Sequence, residues 1–91
     1  MKIIAVCGQG LGSSLVIEMN MKDAVDEIGA DIEIGHTNLN SFDPNDSSIS
    51  AVVCGKDLED AINHSNKIVL NNLFDKDELK EKIENFINNY A

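Results

Sequence analysis

Apolar and polar positions along the chain predict four short strands, separated by helices and by one polar loop. Two of these strands are compact apolar runs bounded by glycine-containing segments, a pattern typical of strands buried on both faces of a sheet. In another, the apolar residues Ile32 and Ile34 alternate with polar ones. The four segments are Ile3–Val6, Asp31–His36, Ile49–Cys54 and Lys67–Leu70.

The first helix is predicted to follow the glycine-rich segment after the first strand. Ser13 or Ser14 can cap its amino terminus, and Gly29 is placed to end it in a left-handed conformation. The apolar residues that recur at roughly helical spacing, and so predict its buried face, are Leu15, Met19, Val25 and Ile28.

The last helix is predicted to open at Asp75, because acidic residues in a first turn suit the helix dipole. Its apolar face would consist of Leu79, Ile83, Phe86 and Ile87. Asp57 can cap a helix that runs through Ile62, and this second helix is predicted to be very short or missing. The polar stretch Thr37–Ser48 holds the only proline, Pro44, and predicts a loop with or without a turn of helix.

Alternating strands and helices favour an α/β fold with right-handed crossovers. We therefore expect a single three-layer domain over residues 1–91, with a four-stranded parallel sheet in the order 2-1-3-4. Such a domain would be flavodoxin/Rossmann-like, with a phosphatase-like loop after the first strand. A hydrophobic share of 43% supports a packed core, and an aromatic share of only 4% means that aliphatic side chains must build it.

The net charge of the chain limits the classes of molecule that we expect it to bind. The net charge is −9, and all seven basic residues are lysines. Nucleic acids and anionic membranes attract Lys and Arg, so we expect neither nucleic-acid binding nor direct membrane insertion. No apolar run approaches the ~20 residues that a membrane-spanning helix needs. An acidic surface could dock onto a basic patch of a protein partner, although it also serves solubility alone.

The two cysteines lie far apart in the sequence and do not form a C-x-x-C pair. That pattern favours neither a disulfide framework nor a zinc site, and we expect no metal and no cofactor. The chain opens directly on a strand-like segment without the pattern of a signal peptide. A reduced, cytoplasmic setting is the expected context.

The loop after the first strand carries the candidate chemistry. Cys7 is expected at the carboxyl edge of the sheet, where open parallel sheets bind ligands. Glycines at alternate positions let backbone N–H groups turn inward, and serine hydroxyls add donors at a helix amino terminus, which attracts anions. The same field should lower the pKa of the Cys7 thiol. The predicted nucleophile is Cys7, and the predicted phosphate-binding residues are Gly8, Gln9, Gly10, Leu11, Gly12, Ser13 and Ser14.

Other loop types fit less well. A Cys-x5-Arg phosphatase loop would need arginine where Ser13 stands, and the chain has none. A dinucleotide fingerprint would need its third glycine one place later, and a Walker loop would need a lysine. A small cysteine phosphatase, a non-catalytic anion-binding module and a merely buried Cys7 remain as alternatives.

The segment Ile4–Ser14 resembles the IIB components of the bacterial sugar phosphotransferase system (PTS), in particular the ascorbate-type branch, whose loop reads C-G-x-G-x-G-S-S. Asn66–Asp75 is similar in style to the family's fourth strand and the turn that follows. The resemblance implies that Cys7 accepts a phosphoryl group from a phosphohistidine on a IIA component. It further implies that Cys7 passes the group to an incoming, ascorbate-like sugar at a membrane IIC permease.

Three further residues have open roles. Cys54 is expected in the third strand beside the first, either as a buried side chain or close enough to Cys7 for an oxidative disulfide. His36 is expected to end the second strand, either exposed to solvent or near the phosphate. His64 lies in a polar stretch and receives no role, and acidic Asp57, Glu59 and Asp60 are expected to cap a helix and form a solvated face.

Overall fold

Four parallel strands form one sheet with the order β2-β1-β3-β4, which confirms the predicted topology. The computed structural model describes residues 1–7, 11–72 and 74–90, with residues 7 and 11–14 described at the level of the backbone. The elements are β1 (Lys2–Cys7), α1 (Leu11–Ile28), β2 (Glu33–Asn38), β3 (Ala51–Gly55), a 3₁₀ turn (Lys56–Leu58), β4 (Lys67–Leu70) and α2 (Lys76–Tyr90).

Both helices pack on one face of the sheet. Apolar side chains from all four strands meet those of α1 and α2 there. The helix α1 forms the crossover from β1 to β2, and α2 follows β4, the last strand. Leu79 and Ile83 of α2 are fully buried, and Phe86 and Ile87 pack against the same cluster, so the predicted apolar face of α2 is confirmed. The buried members of this first cluster are Ile3, Ala5, Ile17, Met21, Ala24, Val25, Ala51, Val53, Ile68, Leu70, Leu79 and Ile83.

The buried face of α1 differs from the predicted one. Val25 is buried as expected, but Leu15 and Met19 are exposed, and Ile17 and Met21 occupy the core in their place. The amino-terminal half of α1 is apolar on two sides, so spacing alone does not decide which side packs on the sheet. The stripe that continues through Ala24 and Val25 buries more apolar area as one unit, and it is the one that faces the core.

Loops, rather than a helix, cover the opposite face. Ile4, Val6, Val52, Cys54 and Ile62 form a second buried cluster there, and Leu39, Phe42, Ile49, Leu58 and Val69 pack against it. Residues 39–50 are described throughout and contain turns but no helix. The very short helix from Asp57 through Ile62 is missing, as one of the two predicted alternatives allowed. In its place a 3₁₀ turn begins at Lys56 and is followed by further turns; Asp57 is not its cap, and the β-region residue Gly55 precedes it without a side-chain cap. This third layer is therefore irregular.

The two ends of α1 show one confirmed and one wrong prediction. Gly29 adopts φ +78°, and its N–H donates to the carbonyl of Asp26 while the N–H of Ala30 donates to that of Val25. These bonds form the glycine-terminated motif that satisfies the last helical carbonyls. At the other end α1 begins at Leu11, so neither Ser13 nor Ser14 is the cap; both lie in the first helical turn.

Candidate functional site

Cys7 is the last residue of β1 and lies at the topological switch point of the sheet. From β1 the chain crosses one face through α1 to reach β2, whereas the β2–β3 connection crosses the other face. Open α/β sheets bind ligands at such a switch point, here at the carboxyl ends of β1 and β3. Parallel pairing aligns Ala5 with Val53, and two residues further on the strands reach Cys7 and Gly55.

Only three residues separate Cys7 from the start of α1. Gly8, Gln9 and Gly10 lie outside the described residues, and so do the side chains of Leu11, Gly12, Ser13 and Ser14. The described backbone nevertheless places a helix amino terminus directly after the strand that ends at Cys7. The first N–H groups of a helix have no intrahelical acceptor and carry partial positive charge. This end of the sheet can therefore attract an anion.

Asn38, rather than His36, ends β2 at this edge. The strand runs two residues further than predicted, and its pairing with β1 sets Asn38 beside Cys7. The Oδ1 atom of Asn38 accepts from the N–H of Ser41 at 2.7 Å, and its carbonyl accepts from that of Phe42 at 3.0 Å. Those bonds form the turn that follows β2. Sequence reasoning missed Asn38, although an asparagine before a polar loop is a common turn residue.

His36 lies two residues back from the edge, paired with Ala5. Its Nδ1 contacts the carboxylate of Glu18 on α1, and Glu18 also forms an ion pair with Lys22 at 3.5 Å. His36 is exposed, as one of its two predicted alternatives required. The observed contact gives it a role that was not predicted, since it joins β2 to the first half of α1.

Cys54 packs in the core and His64 forms a local hydrogen bond. Cys54 is 1% exposed and belongs to the second cluster, with Val69 as its partner on β4. This placement agrees with a buried strand cysteine. The Nδ1 atom of His64 accepts from the N–H of Asn66 at 3.0 Å, a local bond before β4.

A carboxylate fixes the loop at the carboxyl end of β4. The carboxylate of Glu78 accepts from the backbone N–H groups of Asn71 at 2.8 Å and Asn72 at 2.9 Å, and it pairs with Lys82 at 3.0 Å. These two backbone bonds, followed by the Lys82 contact, lower the pKa of Glu78 from 4.5 to about 2. The helix α2 begins at Lys76, one residue after its predicted start at Asp75, and Asp75 caps it by accepting from the N–H groups of Asp77 and Glu78.

We expect Glu78→Gln to lower stability at neutral pH, because one amide oxygen cannot replace two carboxylate oxygens. The folded pKa lies below the unfolded one, so the carboxylate stabilises the fold above about pH 4.5 and ceases to do so as pH falls towards 2. Urea midpoints measured against pH should show a deficit for the variant at pH 7 that shrinks across this interval. Glu81→Gln, on the exposed side of the same helix, is the control. A deficit that persists unchanged at pH 2 would contradict the assignment.

Within the described residues, no helix is long and apolar enough to cross a membrane. No curated protein matches the chain in sequence. A family model does match, and it covers residues 2–85 under the description "PTS system, Lactose/Cellobiose specific IIB subunit". The match extends from β1 into α2 and includes Cys7 with its loop and the whole sheet. The chain therefore belongs to the lactose/cellobiose-specific IIB subunit family, and it is a phosphoryl-carrier component of a sugar phosphotransferase system.

Proposed function

We propose that Cys7 is the phosphoryl-carrying residue of this IIB component. The Cys7 thiolate attacks the phosphorus of a phosphohistidine on the IIA component; an S–P bond forms, the P–N bond breaks, and the imidazole nitrogen keeps the electron pair and takes up a proton. In the second step a sugar hydroxyl at the IIC permease attacks the same phosphorus. The S–P bond then breaks, the hydroxyl proton passes to a base, and the thiolate is regenerated.

The placement of Cys7 supports this proposal most strongly. In a chain of the IIB family, the cysteine at the end of β1 is separated from a helix amino terminus by three residues and lies at the switch point of the sheet. Backbone amides in that position stabilise both a thiolate and the negative charge of a transferring phosphoryl group. The residues proposed to supply these donors are Gly8, Gln9, Gly10, Leu11, Gly12, Ser13 and Ser14.

The fate of a labelled phosphoryl group tests the proposal. Phosphorylated IIA component is incubated with the chain, and protein-bound label is separated from free phosphate. We expect the label to remain on the chain and to leave it when IIC-containing membranes and sugar are added. Release of inorganic phosphate without sugar would instead support the phosphatase alternative. Label that stays on IIA would support a binding module, and either outcome would refute the carrier role.

For the sugar, we propose an ascorbate-like substrate on the strength of the loop alone. The segment Cys7–Ser14 fits the ascorbate-type pattern, whereas the matched family model carries lactose and cellobiose in its description. Membrane vesicles that hold the IIC component, supplied with the phosphorylated chain, can be offered ascorbate, lactose and cellobiose in parallel. Phosphorylation of ascorbate alone would support the proposal. Phosphorylation of either disaccharide in its place would refute it.

The thiol of Cys7 should titrate below the ~8.5 of a free cysteine, because a helix amino terminus favours the thiolate. The rate of alkylation by iodoacetamide, followed at Cys7 as a function of pH, should therefore rise with a midpoint below that value. Buried Cys54 should react slowly throughout and serves as the internal reference. A midpoint at or above ~8.5 would remove the electrostatic argument for an activated nucleophile.

A further inference from the structure

Lys56 is the one lysine whose amine has no acceptor in the part of the chain that the structure describes. Of the other six, five form ion pairs with carboxylates, and Lys67 donates to the carbonyl of Glu59 at 2.7 Å. Lys56 is exposed, and no ion pair among the described residues joins it to Asp57, Glu59 or Asp60, its nearest acidic neighbours in the sequence. Its positive charge is therefore available to an anionic ligand.

Lys56 lies at the carboxyl edge of the sheet, on the strand next to Cys7. It directly follows Gly55, the last residue of β3, and begins the 3₁₀ turn. Because Ala5 pairs with Val53, the same register continued by two residues brings Gly55 beside Cys7. Neighbouring strands are about 4.8 Å apart, and a lysine carries its amine on a flexible four-carbon stem. The amine of Lys56 can therefore reach a group bonded to the Cys7 sulfur.

Gly55 keeps the approach to Cys7 free of a side chain from β3. Residues in register on neighbouring strands project to the same face of a sheet, so a larger residue at position 55 would place a side chain directly beside Cys7. Glycine has no side chain, and Gly55 is buried within the sheet. Room for the oxygens of a phosphoryl group is therefore left on the side from which Lys56 approaches.

The loop after β1 offers a phosphoryl group only neutral donors. From Ile3 to Ile17 the sequence contains no charged residue and no histidine. Among the residues that directly follow the four strands at this edge, Lys56 alone is charged; the others are Gly8, Leu39 and Asn71. A bound phosphoryl group carries about two negative charges at neutral pH, and a cation close to it stabilises that charge during transfer.

We propose that the ammonium group of Lys56 contacts the phosphoryl group on Cys7 and is a further catalytic residue of the transfer. This inference rests on the proposed function of Cys7. Before transfer, the ammonium group favours the Cys7 thiolate. During both transfer steps its N–H groups donate to the phosphoryl oxygens. Lys56 stays protonated and forms no bond to phosphorus, so the bonds that form and break are those already given for Cys7.

The test compares Lys56→Met with Lys56→Arg and with the control Lys2→Met. Methionine keeps an unbranched side chain without the charge, and arginine restores the charge. Lys2 begins β1 at the opposite end of the sheet, and its exposed ion pair with Glu33 contributes little stability. For uptake from phosphorylated IIA, we expect kcat/KM to fall about tenfold or more in Lys56→Met. It should recover in Lys56→Arg and stay at the wild-type value in Lys2→Met.

Alkylation of Cys7 by iodoacetamide separates contact with the site from contact with the donor protein, because it requires no donor. Loss of a nearby cation destabilises the thiolate, so the midpoint of the rate against pH should rise by about one unit in Lys56→Met. It should not change in Lys2→Met. Slower uptake with an unchanged alkylation midpoint would assign Lys56 to binding of the IIA component and refute the proposal.

The outcomes separate this inference from the proposed function. Failure of the wild-type chain to take up label would overturn the carrier role itself. Normal uptake by both the wild type and Lys56→Met would overturn only the role of Lys56. Equal losses in Lys56→Met and Lys2→Met would trace the effect to net charge. A loss in Lys56→Arg as large as that in Lys56→Met would show that the positive charge is not what matters, and each of these two results would also refute the proposal.

Discussion

Replacing Cys7 by alanine should abolish phosphoryl uptake from the phosphorylated IIA component. The backbone donors at the start of α1 would remain, so the variant could still attract an anion, but no sulfur would be present to form a bond to phosphorus. We expect the initial rate of labelling to fall on the order of a thousandfold or more, the scale seen when an enzyme loses its nucleophile. The measurement is a time course of label on the chain at equal concentrations of wild type and variant.

Cys54→Ala is the matched control, since Cys54 is the chain's other cysteine and is buried in the second cluster. It should retain phosphoryl uptake, with some loss of thermal stability from the smaller side chain. Rapid labelling of Cys7→Ala, or loss of labelling in a folded Cys54→Ala protein, would move the nucleophile away from Cys7.

Ile83→Ala should have the largest effect on stability. Ile83 is fully buried between α2 and the sheet, in the cluster that also holds Leu79 and α1 residues. Removing three carbons from such a site typically costs about 2–5 kcal/mol, a large part of the ~5–15 kcal/mol that stabilises a small domain. Urea unfolding followed by circular dichroism measures the change.

Ile87→Ala provides the comparison for this prediction, because Ile87 is one helical turn further on and only partly buried. Its cost should be clearly smaller than that of Ile83→Ala. Equal costs for the two variants would mean that the packing of α2 is not as described.

The fold could be predicted from the sequence because its strong signals are local. The predicted strand Lys67–Leu70 coincides with β4, and Gly29 ends α1 with the positive φ that favours glycine. The apolar residues of α2 lie on one face only, so their spacing identifies the buried face of this helix. In contrast, α1 offers two apolar faces in its first half, and only tertiary packing selects Ile17 over Leu15. The same ambiguity led the sequence spacing to assign Leu15 and Met19, which are exposed, to the buried face.

The candidate functional site could be predicted only in part from the sequence. The position of Cys7 before a glycine-rich turn is a local signal, and the structure places Cys7 at the end of β1, as expected. The sequence could not identify Asn38 as the neighbour of Cys7, because that placement depends on the register between β1 and β2. The bonds of Glu78 to Asn71 and Asn72 were equally hidden, since they depend on how the loop folds back on α2. Contacts between residues that are distant in the sequence cannot be read from the spacing of residues along the chain.

The central claim is that the phosphoryl group is carried by the sulfur of Cys7, and locating that group in the labelled wild-type chain tests it most directly. Cleavage after lysine separates three peptides: residues 3–22 contain Cys7, residues 23–56 contain His36 and Cys54, and residues 57–67 contain His64. Tandem mass spectrometry of these peptides should find the phosphoryl group on residues 3–22, at Cys7. A phosphoryl group at Ser13 or Ser14 in that peptide, or on either of the other two, would contradict the claim.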